Sequence, residues 1–210
     1  MFAKPILIVA AVLALAIEPA LAHHPMGGVR PANFIHGLLS GIGHPILGFD
    51  HLAALVAAGC IAATQARGAP LVIGYVVATL VGAAAHVMQV TVPGVEILVA
   101  LSVIGLGAVM VGPRPFAFGV ALAVFVVAGA IHGYALGESI AGAEPTPLYA
   151  YFVGLALVQS AIALAVMYGA RMVMSRGVNE PAVVRFVGAG IAGIGIATLV
   201  QHLTTAAFGT

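Results

Sequence analysis

PLVIGYVVATLVGAAAHVMQVT, residues 70–91, contains no Asp, Glu, Lys or Arg. A helix needs about 20 predominantly apolar residues to cross the hydrocarbon core of a bilayer, and this stretch supplies them. Backbone polar groups find no water at that depth, so they must bond along the segment itself, which makes the segment a helix. Further apolar stretches of about this length lie at 46–64, 95–112, 115–136, 147–170 and 184–204, interrupted only by Asp50, Glu96 and Arg185 among the charged types. The breaks carry Gly68-Ala69-Pro70, Pro93-Gly94, Gly112-Pro113-Arg114-Pro115, Pro145-Thr146-Pro147 and Asn179-Glu180-Pro181, residues that turn or stop a chain. The sequence therefore predicts an all-α polytopic membrane bundle with six transmembrane helices.

Composition points the same way. Of the 210 residues 62% are apolar and 6% are charged, where a soluble domain has about one quarter charged. A formal net charge of +1 with scattered arginines argues against a nucleic-acid partner. The sequence has no G-x-x-x-x-G-K-[ST] phosphate loop, no hydrolytic triad and no redox dithiol, so enzyme chemistry is not expected. The single cysteine, Cys60, sits in an apolar run and is read as a packing residue. Small residues recur at four-residue spacing in Gly133 to Gly137 and Gly188 to Gly193. In lipid such positions let helices approach closely, and packing is the role expected of them.

The N-terminus has the three parts of a secretory signal: Lys4, an apolar run from Pro5 to Ile17, and an Ala20-Leu21-Ala22 cleavage site. This predicts a signal peptide over 1–22 and a single six-helix transmembrane domain over 23–210. An uncleaved first helix is the alternative, disfavoured because Glu18-Pro19 closes the run early. With the mature N-terminus outside, the first, third and fifth loops face the cytoplasm, and they and their helix ends hold Arg67, Arg114, Arg171, Arg176 and Arg185. The second and fourth loops hold no Lys or Arg. That bias is the positive-inside pattern, and it places the chain in a bacterial inner membrane with both termini periplasmic. Only Arg30 in the N-terminal tail runs against it.

Ionisable residues at membrane depth are costly and mark function. The densest group is HPILGFDH, residues 44–51. Pro45 suits the first position of a helix, which would set His44 at the outer helix mouth with Asp50 and His51 about one and a half turns inside. On a continuous helix His44 and His51, seven apart, share nearly one face. Two imidazoles and a carboxylate suit Ni²⁺, Co²⁺ or Zn²⁺, whereas copper(I) prefers thiolates and thioethers. The bland alternative is that Asp50 simply orients His51 in a packing pair.

These residues carry a resemblance. The string HPILGFDH, with its glycine-rich lead-in from Phe34 to Gly43, resembles the His-x5-Asp-His signature of the HupE/UreJ family of nickel and cobalt permeases. Val95 to Ser102, containing Glu96, resembles the family's third-helix segment, and His132-Gly133-Tyr134-Ala135 resembles the start of its second histidine motif. The resemblance spans essentially the whole chain and implies a cleaved signal, a mature chain starting in histidine and six helices. It also implies metal contact by His132 and Glu96. The chain departs from the family pattern at Leu136 and Ser139, where a histidine and a glutamate are usual; Glu138, with Glu144 as an alternative, is expected to take over the acidic role.

Further candidates are His23 and His24, which would present an amine and two imidazoles at a new N-terminus, and His36, eight residues before His44. His86, Gln159 and His202 are polar positions read first as hydrogen-bonded or interfacial groups. The expected function is import of a divalent ion, Ni²⁺ or Co²⁺ with Zn²⁺ not excluded by chemistry, with no tightly bound cofactor. The expected partners are the metal ion and the lipid bilayer, with a functional link to hydrogenase, urease or cobalamin metabolism. Neutral imidazole is the ligating form, so transport is expected to weaken below about pH 6. The rivals are a membrane metal sensor or metalloenzyme assembly factor without transport, and a b-type haem protein using histidines on facing helices.

Overall fold

The computed structural model describes residues 30–112, 117–176 and 180–209, without the side chains of Glu180 and Pro181. The expected signal segment, His23, His24 and Arg114 lie outside the described residues. Seven α-helices follow one another: α1 Phe34–Leu47, α2 Phe49–Ala63, α3 Gly68–Val87, α4 Val95–Val111, α5 Phe118–Gly137, α6 Pro145–Met174 and α7 Glu180–Phe208, with a 3₁₀ turn at Glu138–Ile140. No strand occurs among the described residues, as the apolar runs predicted.

Four helices, α3, α5, α6 and α7, are long and apolar enough to cross a membrane. A fifth crossing exists if α1 and α2, bent by 77° at their junction, form one broken span. Helix α4, an apolar helix of 17 residues, falls just short of the usual length. Six crossings therefore require counting both the broken pair and α4.

The first span departs from expectation. Residues 34–47 form a helix of their own, and Pro45 lies inside its last turn rather than opening a helix at 46. The proline is tolerated because the helix ends two residues later, so the hydrogen bond it removes is among the last. Gly48 then turns out of helical geometry, with φ −77° and ψ 104°, and α2 starts afresh at Phe49. His44 and His51 thus belong to two helices, not to one face of a continuous helix.

Three close helix pairs build the bundle, each through small residues. Gly129, Gly133 and Gly137 of α5 lie directly on the backbone of Tyr75, Thr79 and Ala83, so α3 and α5 run parallel. Gly37 and Gly41 of α1 sit on Pro147 and Tyr151, and Gly59 of α2 sits on Ala163 and Val166, so the broken pair runs along α6. Gly188 and Gly195 of α7 meet Gly107 and Ile104, an antiparallel contact with α4. The Gly133 and Gly188 stretches thus pack as expected, although Gly190 and Gly193 face open space. Cys60 packs at the edge of the main core, which includes Leu55, Ile61, Tyr75 and Phe125.

The two ends of the bundle differ. Glu96, Glu138 and Glu144 stand at one end, at the starts of α4 and α6 and the finish of α5. At the other, Arg171 binds carbonyls at and just beyond the C-terminus of α2, with Nε 3.3 Å from Ala63 O and Nη2 2.8 Å from Gln65 O. Those carbonyls have no partner within the helix, and a cation there also complements the helix dipole. Arg67, above the Phe118 ring at 5.9 Å, lies at this same basic end.

Candidate metal-binding site

The break at Gly48 gathers the polar residues of the interior. His44 ends α1, while Asp50 and His51 lie in the first turn of α2. The first backbone N–H groups of a helix have no intrahelical acceptor, and the Asp50 carboxylate serves one of them, accepting from the His51 N–H at 2.7 Å. The His44 and His51 rings meet edge to face with centroids 5.8 Å apart. His132 of α5 joins them from across the bundle, its Nδ1 2.7 Å from the Nδ1 of His51. All four side chains are buried: His44 and His51 at 5% exposure, Asp50 at 4% and His132 at 1%.

A fifth residue completes the chain of contacts. His132 Nε2 lies 2.8 Å from the hydroxyl of Ser102 on α4, and that hydroxyl donates to Val99 O at 2.8 Å. Ser102 is seven residues from the start of α4, about 10 Å along its axis, near the middle of that helix. The group is therefore inside the bundle, deeper than the helix mouth expected for His44. In the sequence Ser102 stands out only as the end of the Val95 to Ser102 segment. Its available signal was that Glu96 and Ser102 are the two polar residues in Val95–Val111.

The other candidates lie elsewhere. Glu138 is exposed, six residues beyond His132 and about 9 Å along the helix from it. Glu144, also exposed, precedes the first turn of α6. Glu96 pairs with His202 across α4 and α7 at 3.6 Å. His36 stands in the first turn of α1, two turns from His44, where its backbone N–H bonds the Asn33 cap at 2.9 Å. His86 lies against the Tyr134 ring with centroids 4.6 Å apart. Gln159 is buried in α6 with no hydrogen-bond partner for its Oε1 among the described residues.

The geometry limits which atoms can ligate together. Two nitrogens about 2.0–2.1 Å from one ion stand roughly 2.9 Å or more apart even at right angles. At 2.7 Å the facing Nδ1 atoms of His51 and His132 are hydrogen-bonded rather than co-ligating. His51 Nε2 and Asp50 Oδ1, at 4.0 Å, do fall within the span that two donors on one ion can have. Among the described residues no three His, Cys, Asp or Glu side chains stand as a ready-made ligand set. The imidazole contacts also leave no gap for a porphyrin between His51 and His132, which removes that pair from the haem reading.

Residues 10–198 match the family described as HupE / UreJ protein. The chain belongs to the HupE/UreJ family. No curated protein and no solved structure matches it. This HupE/UreJ protein is thus a helical membrane protein of a family associated with nickel and cobalt transport or with metalloenzyme accessory roles.

Proposed function

We propose that this HupE/UreJ protein is a permease importing a divalent transition-metal ion, Ni²⁺ or Co²⁺, from the periplasm to the cytoplasm of a bacterial cell. The observation that supports this most is the buried grouping of His44, Asp50, His51 and His132 at a break in a membrane helix. A charged side chain at the bilayer centre costs on the order of 3 kcal/mol, and the buried Asp50 carboxylate bears that cost unless it is paired or meets a cation. Three imidazoles beside that carboxylate are a donor set that would suit a divalent transition-metal ion. Broken helices at mid-depth, with helix termini and freed backbone facing the interior, are how membrane carriers build ion sites.

Direction rests on charge. The glutamates at the acidic end raise the local cation concentration there, and the arginines at the basic end mark the cytoplasmic side. The ion would meet Glu138 and Glu144 first and then the His44, Asp50 and His51 group. Gln159 offers a bare carbonyl oxygen on α6 as a further polar contact.

Uptake of labelled Ni²⁺ and Co²⁺ by cells expressing wild type, His51→Ala or Asp50→Ala tests the proposal. Wild type should accumulate metal and both variants should lose most of that uptake at equal membrane abundance. Equal uptake by wild type and His51→Ala would refute it. Metal binding by purified wild type without uptake would favour the accessory role instead.

A further inference from the structure

The hydrogen bonds from α4 to α2 admit one proton order. A serine hydroxyl has one proton, and that of Ser102 goes to Val99 O, 2.8 Å away, because a carbonyl oxygen can only accept. Were the hydroxyl turned toward His132 instead, two oxygens would face each other at that distance with no proton between them. Ser102 Oγ is therefore the acceptor in its 2.8 Å contact with His132 Nε2, and the His132 proton is on Nε2. A neutral imidazole carries one proton, so His132 Nδ1 is a lone pair. The 2.7 Å contact to His51 then requires that His51 Nδ1 carry the hydrogen. What remains is His51 Nε2, a bare lone pair 4.0 Å from Asp50 Oδ1.

We infer that Ser102 is a positioning residue which, through His132, holds His51 in the Nδ1–H tautomer and so presents Nε2, beside Asp50, as the nitrogen that takes the metal ion. The ligand half of this statement rests on the proposed metal function; the proton order does not. His132 thereby acts behind His51, since both its ring nitrogens are engaged. Histidine ligands are commonly oriented by a partner on the second ring nitrogen, and loss of such a partner weakens metal binding by about 10- to 100-fold. Ser102 reaches that effect from a third helix, and it also borders an apolar groove of about 470 Å³ between α4 and α5 that holds no other polar residue.

The test is nitrogen NMR of metal-free full-length protein, labelled in histidine and reconstituted in lipid, followed by Ni²⁺ titration of the same samples. Wild type should show His132 protonated on Nε2 and His51 on Nδ1. The opposite assignment at either ring would overturn the inference without need of any variant. Ser102→Ala should mix the tautomers of both rings and weaken Ni²⁺ binding about 10-fold or more, while Ser102→Thr, which keeps the hydroxyl, should restore both. Unchanged tautomers in Ser102→Ala would overturn it. Wild type that shows the stated tautomers but binds no metal would refute the metal function and the ligand half with it, leaving the proton order in place.

Discussion

A Cβ placed on Gly48 would stand 2.7 Å from Cδ2 of His51. The backbone of Gly48, at φ −77° and ψ 104°, is open to any residue, so what the glycine supplies is space for the imidazole. The helix break and the orientation of its main histidine thus meet at one missing methyl group.

Gly48→Ala is accordingly expected to leave the helices intact while pushing the His51 ring from its place. Circular dichroism should be unchanged and thermal stability should fall by no more than about 1–3 kcal/mol, the usual range for overpacking. Ni²⁺ binding by calorimetry should weaken at least as much as in Ser102→Ala. Wild-type affinity in a folded Gly48→Ala protein would mean that the ring position in this structure is not the one that binds.

His51 and His132 should behave as one unit. Residues joined by a direct hydrogen bond couple by about 0.5–3 kcal/mol in double-mutant cycles, and their Nδ1 atoms are 2.7 Å apart. His132→Ala should weaken Ni²⁺ binding in the wild-type background and add little once His51→Ala is present. Additive losses would make His132 an independent ligand. Equilibrium dialysis on the four proteins is sufficient.

What the sequence showed and what it hid divide along physical lines. Five of the helices were legible within a few residues because a bilayer enforces length and apolarity, as in the prediction of 95–112 against the observed Val95–Val111. The nearness of His44, Asp50 and His51 is legible from their closeness in sequence, but the single helix face that their spacing predicts is not what forms. The break at Gly48 was not legible, since Pro45 is a common first helical residue and nothing local says that the helix has already run from Phe34. The His51 to His132 contact is 81 residues apart in sequence, and only the small residues from Gly133 to Gly137 hint that α5 lies close to its neighbours. The family resemblance points Glu96 toward the metal, whereas its observed neighbour, His202 on α7, is more than a hundred residues away in sequence.

That pair supplies a third prediction. The Glu96 side chain is 40% exposed and its Oε2 stands 3.6 Å from His202 Nε2, and even a fully charged pair at such exposure contributes only about 0–1 kcal/mol. Glu96→Gln should therefore cost little stability and leave Ni²⁺ uptake within about twofold of wild type, since such a pair acts as a weak tie between α4 and α7. A loss of uptake as deep as in Asp50→Ala would instead make Glu96 part of the ion path.

The parallel contact of α3 and α5 should be the most sensitive packing seam, because α5 is what carries His132 to His51. Gly133 rests on the backbone of Thr79, with the Thr79 carbonyl and Cα as its nearest neighbours, so a methyl group there can be accommodated only by moving one helix. In lipid little hydrophobic drive holds two helices together, and close backbone approach is itself the main attraction. Gly133→Ala should thus lower stability by about 1–3 kcal/mol and draw His132 away from His51, weakening metal binding as well. Gly190→Ala is the matched control, since its Cβ would meet nothing within 4 Å and alanine is the better helix former by about 1 kcal/mol. Unfolding in detergent, followed by the far-ultraviolet helical signal, should order the proteins with Gly190→Ala at or above wild type and Gly133→Ala below it. Equal midpoints for the two variants would show that the α3 and α5 contact does not hold His132 in place.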